Sequence, residues 1–191
     1  MNKITLVLFL VLVSFLVHSA AYKFTANDKL PFGQYNPAAP SEVNDFELLM
    51  GRAECLTSTR IDKDNWTTPV DMMWTFKYIM NGMAVQDEVL RSDGTHAGSI
   101  RQYNNETELW LVYFYSNTAF PDQLPTWVGG KEGADLVFSK AQQAPNGTDG
   151  KYRVKFFDIT PSSYEWVGEW VDLTEQIVYP TRKISCKKKP L

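Results

Sequence analysis

The feature of the sequence that most constrains its fold is a change of hydrophobic period at Gly51. From that point β-forming residues recur with period two, and turn residues such as Asn81-Gly82 interrupt them at short intervals. The runs predict strands near 52–61, 70–80, 83–92, 97–104, 108–117, 124–129, 134–141, 151–159, 163–172 and 176–186. About eight to ten strands with no long helix between them predict an all-β fold, a single antiparallel up-and-down barrel rather than a sandwich.

Two segments precede the barrel. Residues 22–40 contain three prolines and little periodicity, which predicts an irregular lead-in. A short helix should follow from Ser41, because Val43, Phe46 and Leu49 fall on one helical face. The predicted barrel domain spans residues 41–186, and 187–191 form a basic tail expected to be solvated.

Residues 1–21 have the features of a secretory signal peptide. Lys3 precedes an apolar stretch at 4–17, and Ser19-Ala20-Ala21 supplies the small residues of a cleavage site. The stretch is too short to span a bilayer comfortably, so a retained membrane anchor is the weaker alternative. We therefore expect a secreted or periplasmic protein without a stable membrane anchor.

The charge balance argues against nucleic acid as a partner. The whole chain has a net charge of −3, and loss of Lys3 with the signal peptide makes it −4. Nucleic-acid-binding domains carry basic stripes on the surface, which this sequence lacks apart from its terminal lysines.

The two cysteines, Cys55 and Cys186, stand near the ends of the predicted barrel. An even pair in an exported protein predicts a disulfide bond, here between the first and last strands. Two unpaired thiols are the alternative.

Several short motifs resemble a known family when they are taken in order. They are Asp45–Gly51 (DFELLMG), Ser99–Asn104 (SIRQYN), Trp110–Tyr113 (WLVY), Arg153–Phe156 (RVKF), Ile159–Ser163 (ITPSS) and Trp166. Together they are similar to a group of exported, uncharacterised proteins with a lipocalin-like, or calycin-like, barrel. The resemblance covers roughly residues 45–186 and implies fold and export, but no reaction.

Six residues are candidates for ligand binding. Arg101 and Tyr103 share a strand face, and a guanidinium with a phenol can hold a carboxylate. The alternative places both side chains outside the barrel or at its rim. Trp74, Trp110, Trp166 and Trp170 could surround an apolar cavity, or could simply pack the core.

No catalytic constellation is visible in the sequence. After residue 21 the only histidine is His96, and neither a G-x-S-x-G motif nor a metal-binding histidine pair occurs. We accordingly expect no metal, no cofactor and no enzymatic activity. In a eukaryote, Asn65, Asn105 and Asn146 would be glycosylation acceptors.

Two non-catalytic functions remain open from the sequence, and an enzyme that works by cavity shape and a lone acid or tyrosine is the weaker third alternative. The first is binding of a small apolar or amphipathic molecule in the barrel cavity. The second is a non-catalytic structural or interaction protein that docks a partner, including a second copy, on an exposed barrel face. Strand 109–115 is the candidate face, because its LWLVYFY sequence is apolar on both sides; cover by the chain's own helix or lead-in is the simpler expectation.

Overall fold

The computed structural model describes residues 22–190, so the signal peptide predicted for residues 1–21 lies outside the described residues. A 3₁₀ helix, Ser41–Leu49, precedes the barrel. The ten strands of the described chain are β1 (Gly51–Thr59), β2 (Val70–Ile79), β3 (Ala84–Arg91), β4 (His96–Asn104), β5 (Leu109–Ser116), β6 (Thr126–Glu132), β7 (Asp135–Ala141), β8 (Gly150–Phe157), β9 (Ser163–Asp172) and β10 (Val178–Lys188).

The strands form one closed barrel in which sequence neighbours pair and β10 returns to β1. Every pairing is antiparallel. Closure removes both sheet edges, which would otherwise be open to aggregation. The predicted all-β up-and-down barrel with a short N-terminal helix is confirmed.

A disulfide bond crosses the seam between the first and last strands. Cys55 of β1 lies directly opposite Cys186 of β10, and their sulfurs are bonded. Both cysteines are buried in the barrel core. The bond joins residues 131 apart in the sequence, so it closes a long chain loop as well as the barrel.

The 3₁₀ helix closes one end of the barrel. Its Val43, Phe46 and Leu49 are buried, and the Phe46 ring lies 4.8 Å from the ring of Trp110, edge to face. At this end Lys188 of β10 donates a hydrogen bond from Nζ to the carbonyl of Leu48 (2.8 Å). The barrel therefore has a plugged end at the helix and an open end at the opposite set of loops.

Near the plugged end, inward side chains form a buried hydrophobic core. An aromatic cluster there comprises Phe46, Trp74, Phe76, Trp110, Phe138, Phe156 and Tyr164, all buried. Their ring centroids lie 4.8–6.3 Å apart in the contacting pairs, within the range of favourable aromatic packing.

The end of the last strand differs from the sequence prediction. The last strand does not end at residue 186, because Lys187 and Lys188 continue the ladder opposite Glu54 and Ala53. Lys189 then forms an ion pair with Glu54 (2.7 Å). The terminal lysines are thus held against the acidic residue of β1 instead of forming a free basic tail.

The outer face of β5 is not covered in the way that we expected. The helix packs inside the barrel against Trp110, and the lead-in pairs with β2 through the bond from the Tyr78 amide to the Phe32 carbonyl (2.8 Å). Leu111 and Tyr113 on the outer face of β5 consequently remain half-buried.

Candidate ligand-binding cavity

The open half of the barrel contains a cavity of about 430 Å³. All ten strands except β7 contribute to its wall, together with the β3–β4 turn and the β5–β6 loop. Its lining residues are Thr57, Met72, Trp74, Asp87, Val89, Arg91, Thr95, Ala97, Gly98, Ser99, Arg101, Val112, Phe114, Ser116, Thr118, Ala119, Trp127, Tyr152, Val154, Trp166, Arg182 and Ile184.

Aromatic and aliphatic side chains make up most of this wall. Trp74 and Trp166 stand on neighbouring parts of it, with ring centroids 6.2 Å apart, and Phe114 packs edge to face on Trp127 at 6.0 Å. Because strand residues alternate between the two faces of the sheet, every second residue of each strand reaches this interior. The wall therefore offers a largely apolar surface with rigid planar groups.

A buried ion pair lies at the floor of the cavity. Arg101 donates from Nη1 to Oδ1 of Asp87, and both side chains are less than 5% exposed. Trp74 donates from Nε1 to the other carboxylate oxygen of Asp87 at 2.7 Å. The Arg101 guanidinium carbon also lies 5.2 Å from the centre of the Phe76 ring and 5.3 Å from that of Phe46, in cation–π contact.

The ion pair with Asp87 limits the ability of Arg101 to bind an anionic ligand group. Asp87 and Glu88 are adjacent on β3, and alternation turns Asp87 inward while Glu88 faces Lys77 on the outside. Asp87 is thus the internal counter-ion of Arg101, which lowers the charge available to a ligand carboxylate. The ligand-binding role of Arg101 stays a prediction, and the structure adds an intramolecular role in the floor.

Two further arginines line the cavity near its mouth. Arg91 is the last residue of β3, and Arg182 stands near the start of β10. Arg91 forms an ion pair through Nη2 with Asp93 of the β3–β4 turn (2.9 Å). Burial, and then the charge of Arg91, lower the pKa of Arg182 from its usual value. Among the described residues Asp87 is the only acidic side chain in the wall, so the cavity has an excess of positive charge.

The predicted binding residues are divided among three places. Arg101, Trp74 and Trp166 line the cavity. Trp110 is buried below it, against the helix, and Tyr103 packs on Trp110 at the plugged end (ring centroids 5.7 Å apart).

Trp170 lies outside the cavity wall at the end of β9. Its indole Nε1 donates to the carbonyl of Gln142 (2.9 Å), which fixes the ring to the β7–β8 loop. The Arg101-x-Tyr103 pair does not form one subsite, because Tyr103 lies two residues nearer to the plugged end than Arg101.

Sequence reasoning missed the charged residues Asp87, Arg91 and Arg182 as members of the cavity. The signal was present in the alternation: Asp87 and Arg91 share a face with Val85 and Val89, and Arg182 shares one with Cys186. Charged side chains on a strand face that is otherwise apolar would have indicated these three residues as cavity candidates.

Other features of the described chain concern partners and modification. Within residues 22–190 no helix has the length and apolar character needed to cross a membrane. In the same range no three His, Cys, Asp or Glu side chains are grouped to hold a metal ion. Asn65, Asn105 and Asn146 are exposed in loops or turns, and the Asn65 amide donates to Asp62 (2.9 Å).

Comparison with known proteins gives a distant likeness in fold. No family model and no curated protein matches the chain. Among solved structures it is similar to the S-type phycobiliprotein lyase from Guillardia theta, with 9% sequence identity and a TM-score of 0.46. The match covers 76% of this chain and 91% of that one. Membership in a particular family does not follow from this likeness.

The comparison also corrects one expectation from the sequence. The missing catalytic motifs led us to expect a protein that is not an enzyme. The solved structure to which the chain is similar carries the name of a lyase, which contradicts that expectation. Missing serine, histidine and metal motifs do not make a barrel of this kind non-catalytic.

Proposed function

We propose that this protein is an extracytoplasmic binding protein that holds a small apolar or amphipathic molecule inside its barrel. The observation that carries the proposal is the cavity of about 430 Å³ in the open half of the barrel. Small-molecule sites in proteins occupy roughly 300–1,000 Å³ and are mostly apolar with a few placed polar groups. The cavity agrees with that description in its volume and its lining.

The construction of the barrel supports the same proposal. A barrel built only for stability would be filled by its own side chains along its whole length. Here the aromatic cluster and the helix pack the plugged half, whereas Trp127 and Trp166 border open space in the other half, with Trp74 of the cluster at the boundary between the two. Large aromatic side chains around that space provide apolar contact area for a ligand at little cost in side-chain entropy.

Export is proposed on separate grounds. The buried Cys55–Cys186 bond is of the kind that forms and persists in oxidising compartments. It agrees with the signal peptide predicted from residues 1–21, and with the resemblance to exported lipocalin-like proteins. Together these observations favour the periplasm or the extracellular space.

A neutral fluorescent probe tests the use of the cavity. 1-Aminoanthracene should bind the mature protein one to one, with enhanced fluorescence and energy transfer from the cavity tryptophans. Ala97→Trp places a bulky ring at a cavity-lining position and should lower the affinity at least tenfold. Ala141→Trp is the matched control, because Ala141 is exposed and lies outside the wall. Equal binding by the two variants would contradict a ligand site in the barrel.

Native mass spectrometry of protein purified from its own cells without detergent identifies the occupant. A discrete mass released on denaturation would support the proposal and give the chemical class of the ligand. A bare dimer would instead favour the second function, docking on the outer face of β5, where Leu109 is 39% exposed and Leu111 and Tyr113 are half-buried.

A further inference from the structure

Buried polar atoms without a hydrogen-bond partner are concentrated at the cavity. The described chain contains six such side-chain atoms, and four of them belong to cavity-lining residues: Thr57 Oγ1, Arg91 Nε, Arg101 Nε and Trp127 Nε1. Buried polar groups in folded proteins are nearly always hydrogen-bonded, since an unpaired one costs free energy. Three of these four atoms are N–H donors and the fourth is a hydroxyl. The wall therefore offers hydrogen-bond donors to a ligand group that accepts hydrogen bonds.

Three polar residues cluster in the part of the wall nearest to the mouth. Thr57 lies toward the end of β1, which runs from the plugged end to the open end, and it is 4% exposed. β10 pairs with β1 on one side and places Arg182 opposite Thr59, two residues beyond Thr57. On the other side of β1, β2 separates it from Arg91 at the end of β3. Thr57 therefore stands between two strands that each bring an arginine to the mouth.

The two arginines differ from Arg101 in how their charge is balanced. Arg101 has a buried carboxylate as its partner, and Arg91 has the half-exposed Asp93 at the surface. In residues 22–190 Arg182 makes neither a side-chain hydrogen bond nor an ion pair with a carboxylate. Its partial burial and the nearby charge of Arg91 both act against its charged form, as the lowered pKa of Arg182 indicates. An anion at this place would relieve both effects.

We propose that the ligand is an amphipathic carboxylate whose anionic group binds at the mouth to Arg182, Arg91 and the Thr57 hydroxyl. The guanidinium of Arg182 can hold a carboxylate through two parallel N–H···O bonds, and the Thr57 hydroxyl donates a third. The apolar part of the ligand extends inward over Trp74 and Trp166 and stops at the Arg101–Asp87 pair. This inference rests on the proposed binding function and assigns the headgroup to residues other than Arg101.

Decanoate and decan-1-ol test the assignment, because they share a chain and differ in the headgroup. Binding is measured by calorimetry and by quenching of tryptophan fluorescence on the mature, oxidised protein. The wild type should bind decanoate at least tenfold more tightly than decan-1-ol. Arg182→Gln should weaken decanoate binding about tenfold or more and leave decan-1-ol unchanged, since one charged hydrogen-bonding partner is worth roughly that factor.

Two further variants make the test independent of folding defects at residue 182. Thr57→Val keeps nearly the same shape and removes only the hydroxyl, so decanoate affinity should fall about three- to tenfold, as for one hydrogen bond. Arg52→Gln is the matched control, because Arg52 is exposed on the outside of β1 and should leave both affinities as in the wild type.

The outcomes separate this inference from the proposed function. Equal one-to-one binding of decanoate and decan-1-ol by the wild type would overturn the carboxylate subsite and leave the binding cavity in place. Unchanged decanoate affinity in both Arg182→Gln and Thr57→Val would overturn it as well. Binding of neither compound, together with no effect of Ala97→Trp on the neutral probe, would contradict the proposed function itself.

Discussion

The buried pair Arg101–Asp87 allows a quantitative prediction about stability. Both side chains are less than 5% exposed, and the Asp87 carboxylate accepts hydrogen bonds from Arg101 and from Trp74 Nε1. Arg101→Met puts an unbranched apolar side chain of similar length in place of the arginine. The Asp87 carboxylate then keeps only its hydrogen bond from the Trp74 indole. Removing one member of a buried pair costs about 3–5 kcal/mol, because an uncompensated charge stays in the core.

This free energy corresponds to a large change in melting temperature. For a domain of this size, 1 kcal/mol shifts Tm by about 2–4 °C, so Arg101→Met should melt roughly 6–20 °C below the wild type. Urea unfolding followed by tryptophan fluorescence under non-reducing conditions gives the free energy of unfolding. Arg52→Met, at an exposed position, is the control and should change it by less than about 0.5 kcal/mol.

A double-mutant cycle tests the physical reason. In Arg101→Met/Asp87→Asn the buried site carries no charge, and the amide oxygen of the introduced asparagine can still accept from the indole of Trp74. The double variant should therefore be more stable than Arg101→Met alone. A loss below about 1 kcal/mol for Arg101→Met would refute the reasoning, as would a double variant whose loss equals the sum of the two single losses.

Two other predictions concern the seam and the mouth of the barrel. Reduction of Cys55–Cys186 should lower the stability of the mature protein by up to about 5 kcal/mol, the chain-entropy value for a loop of this length, and so lower Tm by several degrees. Calorimetry with and without reductant measures this, and identical melting curves would mean that the bond does not contribute. At the open end, hydrogen bonds lower the pKa of Asp93 and of Asp172, chiefly from the Thr95 amide and the Thr174 hydroxyl respectively. A lowered carboxyl pKa stabilises the fold above the unfolded value of about 4, and that contribution is lost as the pH falls through the still lower folded value. Hydrogen exchange should then show the Thr95 amide losing protection between about pH 4 and pH 2. The Asn117 amide, which donates to the His96 carbonyl (2.8 Å), is the control and should keep its protection. Parallel loss of protection at both amides would contradict the prediction.

Much of the fold was determined by local patterns in the sequence. The period-two alternation and the turn residues predicted the ten strands within about three residues at each end, because turn chemistry and strand alternation act between near neighbours. The same alternation puts Trp110 and Val112 of β5 on one face of the strand, and the structure buries both. The positions of Cys55 and Cys186 in the first and last strands predicted the disulfide that the structure contains.

The composition of the site depends on contacts between different elements, which the pattern within one strand does not show. Alternation puts Arg101 and Tyr103 on one strand face. It does not show that this face is inward, nor that Asp87 of the neighbouring strand lies close enough to neutralise Arg101, which depends on the register of β3 against β4. Likewise Tyr103 shares a face with Arg101, yet the helix packs beneath that part of the barrel and leaves Tyr103 outside the cavity.

The sequence by itself therefore determined which segments are strands, in what order they follow, and which residues of each strand share a face. Only the tertiary structure decided which inward residues pack against the helix and which border the cavity. The physical reason is that closure of the barrel and the depth of the helix set the distances between residues far apart in the chain. Arg182 and Arg91 come to share the mouth with Thr57 only when β10 has returned to β1.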